Sequence, residues 1–434
     1  MSVTTMATGL PTRLSRAMNI GTDPCGAGVL VVEPMGNAGR FLVDAADRLG
    51  VRLYAATHKD IHDSYSPSLR SALAGVCETD LADTPRALED MEDFCRRHSV
   101  AGVAACWELL TPLAALLARR LGLPGNDPAL AHAARNKILM GEAFAAAGVP
   151  APRWTAVRDS AQARGAVAER GLGWPLVVKP AEQGGSWGVS VLDGPDQLDA
   201  AMAAAQRHTY AQPHGLRLDT RVLAQEYIPG EEFSCDTIVA DEVAYPLPVV
   251  RKDTTSGAHR IETGHTCPAG LAPSTARLVR HTAARAALAV GIRNGIAHTE
   301  VKIPPGAEVA FVLETGARLP GGNLCEVVET ATGVSEAVAY LQTVLGRVPD
   351  TAPTRTDAAA IRFLLPRSGG RLRRVSVPEV SGTHSELHLG AGDTVPEPED
   401  SSCRIGQVVA RAGTVAEARR LAEDVAARTR VEVS

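Results

Sequence analysis

The sequence predicts an α/β protein, α+β in its later parts, and three observations carry that expectation. In the first third, the apolar runs "AGVLVVEP", "VRLYAATH" and "VAGVAACWE" are separated by stretches of helical periodicity, and strands alternating with helices form a parallel sheet. Further on, "EEFSCDTIVAD" and "VAYPLPVVR" follow one another with alternating side chains, the pattern of antiparallel sheet. At 434 residues the chain exceeds one ordinary core, so two or three domains or subdomains are expected.

Composition narrows the class. An apolar fraction of 45% with 21% charged residues is globular. The net charge of −5 leaves no footprint for nucleic acid or an anionic membrane. No apolar run reaches the roughly 18 residues that cross a bilayer. Residues 1–26 lack the continuous apolar stretch of a signal peptide and read as a disordered leader. The 8 cysteines are scattered without a C-x-x-C pair, which argues against a zinc site or disulfide framework and for a reducing cytoplasm.

Taken in order, "AGVLVVEP", "MGNAGR" and "FLVDAADRLG" read as strand, glycine turn and helix. Gly36 and Gly39 suit a tight turn or a ligand contact. Segments 83–98 and 111–122 read as helices, and Glu108 falls just past "VAACW", at the strand end where such sheets bind ligands. In "HKDIH", His58 and His62 stand four apart with Asp60 and Asp63 nearby. That spacing suits metal only on a helix, and the stretch reads as a solvated loop. A helix bearing Lys137 stops at Gly148-Val149-Pro150.

Next come a helix near 160–170, the strand "WPLVVKPA", a glycine loop, the strand "GVSVLD" and the helix "PDQLDAAMAAAQRH". The strand "RVLAQEYI" leads into the antiparallel run. A long helix at roughly 273–290 precedes the strands "IAHTEVKI" and "EVAFVLET", and a helix near 333–346 follows. The remainder is short-stranded and closes with the helix "TVAEARRLAEDVAARTR". The expected divisions are an N-terminal Rossmann-like domain at 27–125, a central domain at 126–350 with a small lid at about 150–228, and a mixed α/β subdomain at 351–434.

The segment "KPAEQGGSWGVSV" permits two kinds of chemistry. Gly184-Gly185-Ser186-Trp187-Gly188 fits the G-x-S-x-G of a nucleophile elbow, but an elbow needs a helix after the turn. The alternating strand that follows makes the loop a hairpin, whose unhindered N–H groups can cradle phosphates. Lys179 leads into it and Lys137 lies on the helix before, so two point charges can meet a triphosphate. Trp187 reads equally as an apolar cover or as core. In "LAQEYIPGEEFSCD", the backbone of Gln225, Glu226, Tyr227 and Ile228 could pair with an adenine and Glu232 with ribose, or the segment is an ordinary strand and turn. Glu300 and Glu314 end two successive apolar strands. Paired carboxylates there suit Mg²⁺ bridging ATP phosphates, with salt bridges as the alternative. Arg318 offers planar donors, and Gly321-Gly322 either leave room in a pocket or end a strand.

In order and spacing, "RNK", "PLVVKP", "GGSWGVS", "QEYIPGEEFS", "HTEVK" and "ETGARLPGG" resemble the ATP-grasp superfamily of carboxylate–amine ligases. With Glu262 and His265 in "IETGHTCP", the chain looks most like its L-amino acid ligases. The resemblance implies an ATP-grasp fold, with Lys137, Lys179 and the hairpin on ATP phosphates, Gln225 to Ile228 on adenine and Glu232 on ribose. It puts one or two Mg²⁺ ions on Glu300 and Glu314, makes Arg318 and His265 catalytic, with Arg318 on the acyl phosphate, and lines the amino-acid pocket with Glu108, Glu262 and His265; Arg318, Gly321 and Gly322 are the further candidates for contact with substrate. Gly316 stands where many members carry a metal-binding Asn. The implied partners are a small carboxylate and a small amine, with a homodimer as the common assembly. Three other readings are weighed: an acceptor that is a non-amino-acid amine or a carrier protein, a non-catalytic nucleotide-binding regulator, and a metal hydrolase using "HKDIH".

Overall fold

The computed structural model describes residues 26–255 and 261–434, so the expected leader and Cys25 lie essentially outside it. The first layer is a parallel sheet in the order Gly75–Glu78, Arg52–Thr57, Gly28–Val32, Val100–Ala105. Gly28–Val32 is buried along its whole length, as a central parallel strand with both faces covered should be. Helix Thr84–Arg97 starts where Asp83 accepts from the Arg86 N–H, with proline in the first turn. The stretch after Thr57 departs from expectation. It forms a six-residue helix, Lys59–Ser64, because His58 Nδ1 accepts from the Asp60 N–H and caps it. Among the described residues, no group of three or more His, Cys, Asp or Glu is placed to hold a metal ion.

The lid is a four-stranded antiparallel sheet, ordered Trp154–Val157, Val222–Glu226, Leu176–Pro180, Ser190–Leu192. Helices Ser160–Glu169 and Leu198–Ala205 cover it through Leu176, Leu198, Met202 and Val222. The glycine loop joins two antiparallel strands, so the elbow reading fails and the hairpin reading stands. Ser186 turns the chain with φ +65°, and a Cβ at Gly188 would meet Ala204 O and Ala205 Cα at 3.1 Å.

The largest layer is a nine-stranded antiparallel sheet. Its main order is Phe311–Gly316, Gly295–Ile303, Glu231–Ala240, Val250–Thr254, Glu262–Cys267, Ala358–Leu364, Gly406–Ala412 and Thr383–Leu387. Val243–Pro246 pairs beside Glu231–Ala240. Helix Pro273–Ala289 buries Val279, Ala283, Ala286 and Ala287 against this sheet. Helix Val415–Arg428 packs Ala418 and Ala422 against Ala358, Ala360 and Ala410. Strands from residues 358–412 thus continue the sheet that carries Glu300 and Glu314. Among the described residues no helix is long and apolar enough to cross a membrane, and the seven described cysteines are buried and free.

Candidate active site

Residues two apart on a strand face the same way, and the register then builds the site. Glu300 lies directly opposite Glu314 on one side and Ser234 on the other. One step along, His298 lies opposite Gly316 and Asp236. Glu232 pairs across to Lys252, and Lys252 across to His265. One sheet face therefore carries Glu232, Lys252, Glu300 and Glu314.

The lysines enter from the edge of this face. Asn136 caps helix Lys137–Ala147 by accepting from the Ile138 and Leu139 N–H groups, which aims buried Lys137 inward. Its Nζ donates to Gln183 O at 2.6 Å and lies 3.2 Å from Glu314 Oε2. Burial opposes its charge, but Glu314 and Glu108 outweigh burial and hold its pKa above the ordinary value. Lys179 Nζ donates to Leu313 O at 3.3 Å. Burial brings its pKa down to about 8, and the charge of Lys137 adds to that, against the pull of Glu314.

Arg318 joins the layers. Its Nε donates to Glu108 Oε2 at 2.8 Å and its Nη1 to Leu319 O at 3.0 Å. Burial would raise the Glu108 carboxyl, yet Arg318 and Lys137 hold it below the usual range. The glycine hairpin lies against the same carboxylate, since a Cβ at Gly184 would stand 2.9 Å from Glu108 Oε1. At Gly316 it would stand 3.5 Å from Oε2, an ordinary contact distance. Trp187 is 45% exposed, which removes the core alternative for it.

The expected adenine segment is divided. Gln225 pairs with strands on both sides, while Glu226 pairs with Leu176 on one side and its N–H donates to Arg153 O at 2.8 Å on the other. Glu226 also forms a forked ion pair with Arg153. The ladder ends there, so only Tyr227 and Ile228 lie beyond it. Glu232 Oε1 is 3.2 Å from Lys252 Nζ.

His265 is fully buried, and neither ring nitrogen has a hydrogen-bond partner. Its Nε2 is 3.8 Å from Glu262 Oε2. Burial drops its pKa to about 3, so the ring is neutral. Gly322, at φ +60°, would put a Cβ 2.7 Å from His265 Nε2, whereas Gly321 faces open space. Glu262 is held by Lys252 at 2.7 Å and by Arg404 Nη2 at 2.8 Å.

Five residues here escaped the sequence reading. Arg404 lies with its guanidinium 3.6 Å over the Phe363 ring, and Phe363 meets the His265 ring edge-on at 5.4 Å. Both come from the C-terminal segment. Asp236 Oδ1 holds His298 Nδ1 at 2.6 Å, and His298 Nε2 is 3.4 Å from Glu300 Oε1. Burial opposes charge on His298, but Asp236 and Glu300 lift its pKa to about 9. Lys252 could have been found: in "VVRKD", period two puts it on the same face as buried Val250.

The family model described as ATP-grasp domain matches residues 172–326, the ATP-grasp N-terminal domain 43–125, and the L-amino acid ligase C-terminal domain 2 residues 362–434. A D-alanine–D-alanine ligase of Acidovorax ebreus (strain TPSY) is 27% identical over 56% of this chain and 72% of its own. An alanine–anticapsin ligase of Bacillus subtilis is 27% identical over 58% of this chain, which spans 55% of that protein. The L-amino acid ligase from Bacillus licheniformis shares the fold, with a TM-score of 0.77 at 19% identity, covering 94% of this chain and 99% of that one. By these matches the chain carries an ATP-grasp domain, an ATP-grasp N-terminal domain and an L-amino acid ligase C-terminal domain. The chain is an ATP-dependent carboxylate–amine ligase of ATP-grasp type, related to the D-alanine–D-alanine ligases and the L-amino acid ligases.

Proposed function

We propose that the chain activates the carboxylate of an L-amino acid as an acyl phosphate and passes the acyl group to a second amino acid or related amine. The carboxylate oxygen attacks the γ-phosphorus of ATP and ADP leaves. The amine nitrogen then attacks the acyl carbon, phosphate leaves, and the nitrogen loses a proton. The observation that carries this reading is the convergence of Lys137, Lys179, Glu300, Glu314, Arg318 and Glu108, from three layers, on one sheet face.

Neither step needs a covalent enzyme intermediate, so these side chains work by position and charge. Lys137, Lys179 and the hairpin N–H groups receive phosphates, with Tyr227 and Ile228 beyond the lid ladder offering backbone to adenine. Glu300 and Glu314 fit Mg²⁺. They are adjacent carboxylates, and Mg²⁺ commonly takes one or two carboxylates and completes its sphere with phosphate and water oxygens. Bound there, Mg²⁺ would offset charge on the transferring phosphoryl group. Arg318 receives the negative oxygen of the acyl phosphate and of the tetrahedral intermediate. Neutral His265 has an unused acceptor for a substrate ammonium, and Glu262 adds the charge. The hairpin, with Trp187 at its tip, excludes water from the acyl phosphate.

Phosphate release with MgATP and a panel of amino acids, singly and in pairs, tests this. Release that depends on a particular pair names both substrates. Release with one amino acid alone points to an acceptor outside the panel, a different amine or a carrier protein. Silence with every amino acid contradicts the proposal.

Two further results are expected. Lys179 is charged below about pH 8 and neutral above it, so kcat/KM for ATP should fall as pH rises through about 8. Lys179→Arg should move that fall to higher pH. A flat profile from pH 7 to 9 contradicts the role given to Lys179. Arg404→Met removes a charge-assisted bond to Glu262 and should raise KM for one amino acid about tenfold or more, while KM for ATP stays put. Equal changes in both constants would mean that Arg404 only supports the fold.

A further inference from the structure

Strand Val250–Thr254 runs between Glu231–Ala240 and Glu262–Cys267, which brings Lys252 among carboxylates from three other strands. Its Nζ lies 2.7 Å from Glu262 Oε1 and 3.2 Å from Glu232 Oε1, and it pairs most closely with Glu300 Oε1. The Lys252 side chain is 2% exposed, so the ammonium is committed to these three acids rather than shared with solvent. In the proposed function the three acids have separate tasks: ribose for Glu232, metal for Glu300, the amino-acid pocket for Glu262. The remaining metal carboxylate, Glu314, is paired with Lys137 at 3.2 Å. Both carboxylates of the proposed metal site are therefore already held by an ammonium.

We propose that Lys252 is a positioning residue that gathers Glu232, Glu262 and Glu300 and bars a bare divalent cation, so that metal enters only together with nucleotide. This rests on the reading of Glu300 as a metal carboxylate. A bare ion would have to displace from Glu300 an ammonium that two further carboxylates retain, and would gain few protein ligands in return. Among the described residues no group of three or more His, Cys, Asp or Glu stands ready to hold it. Nucleotide changes the balance through its own chemistry. Its phosphates attract Lys137 and Lys179, its ribose engages Glu232, and its phosphate oxygens supply the ligands that two carboxylates lack. Lys252 then remains with Glu262. Without Lys252, Glu262 would keep Arg404 and Glu300 would keep His298, but the cation shared by all three carboxylates would be gone, and a divalent ion is a strong replacement for it.

Mn²⁺ binding to the full chain, followed by electron paramagnetic resonance with and without a non-hydrolysable ATP analogue, tests the proposal. Wild type should bind Mn²⁺ appreciably only with the analogue present. Lys252→Gln should gain affinity for bare Mn²⁺, by about tenfold or more, and Lys252→Arg should behave as wild type. A gain in bare-metal affinity is not what a merely damaged fold produces. The proposal is overturned if folded Lys252→Gln shows no gain, or if wild type binds Mn²⁺ equally well without the analogue. Should Lys252→Gln fail to fold, the wild-type comparison and Lys252→Arg still decide, since bare Mn²⁺ binding by either contradicts it. Failure of the amino-acid reading would appear instead in the phosphate-release panel, which this measurement does not involve.

Discussion

Arg318→Ala should lower kcat by about 10²–10³-fold, the loss typical of removing a donor to a developing oxyanion, with a smaller change in KM for ATP. The magnitude follows from two consequences of one deletion. The guanidinium that would meet the acyl phosphate is gone, and Glu108 loses the partner 2.8 Å from its buried carboxylate. That carboxylate faces Gly184 of the hairpin, so its unpaired charge would repel phosphates where the lid must close. Arg318→Lys should recover only part of the rate, because a point charge cannot serve Glu108 and an oxyanion as a planar fork does. If Arg318→Ala lowered kcat less than about fivefold, Arg318 would belong to the ion pair and not to the chemistry.

Glu314→Ala should reduce phosphate release by about 10²–10⁴-fold, as expected for loss of several kcal/mol of metal-borne charge stabilisation. Glu314 stands opposite Glu300 and 3.2 Å from Lys137, so its removal disturbs both the proposed metal carboxylates and a proposed phosphate lysine. Glu314→Gln separates these effects, because it keeps the shape and a carbonyl acceptor for Lys137 while removing the charge. Both variants should remain folded, with KM for MgATP raised in each. Near-normal release by Glu314→Gln would place the metal elsewhere.

The parts of this site that the sequence displays are those proposed to bind nucleotide through local chemistry. A lysine before a glycine hairpin, and acids ending successive apolar strands, sit within short motifs whose spacing carries the reason for their residue types. Register turned Glu300 and Glu314 from similar positions into direct partners. What escaped depends on strands far apart in the chain. Arg404 meets Glu262 across 142 residues, and the Asp236–His298 bond spans 62, so neither pair leaves a local pattern. Lys252 was concealed differently, since a lysine on a half-read strand looks like solvated surface until period two is followed from Val250. At "HKDIH", one capping bond from His58 turned an expected loop into a short helix.

The central claim is that a substrate carboxylate oxygen becomes bonded to the γ-phosphorus of ATP. The most direct measurement supplies the activated amino acid with ¹⁸O in both carboxylate oxygens and determines the isotope content of the released phosphate by mass spectrometry. An acyl-phosphate route predicts one ¹⁸O in each phosphate and the other in the product amide. Unlabelled phosphate, formed alongside amide product, would contradict it.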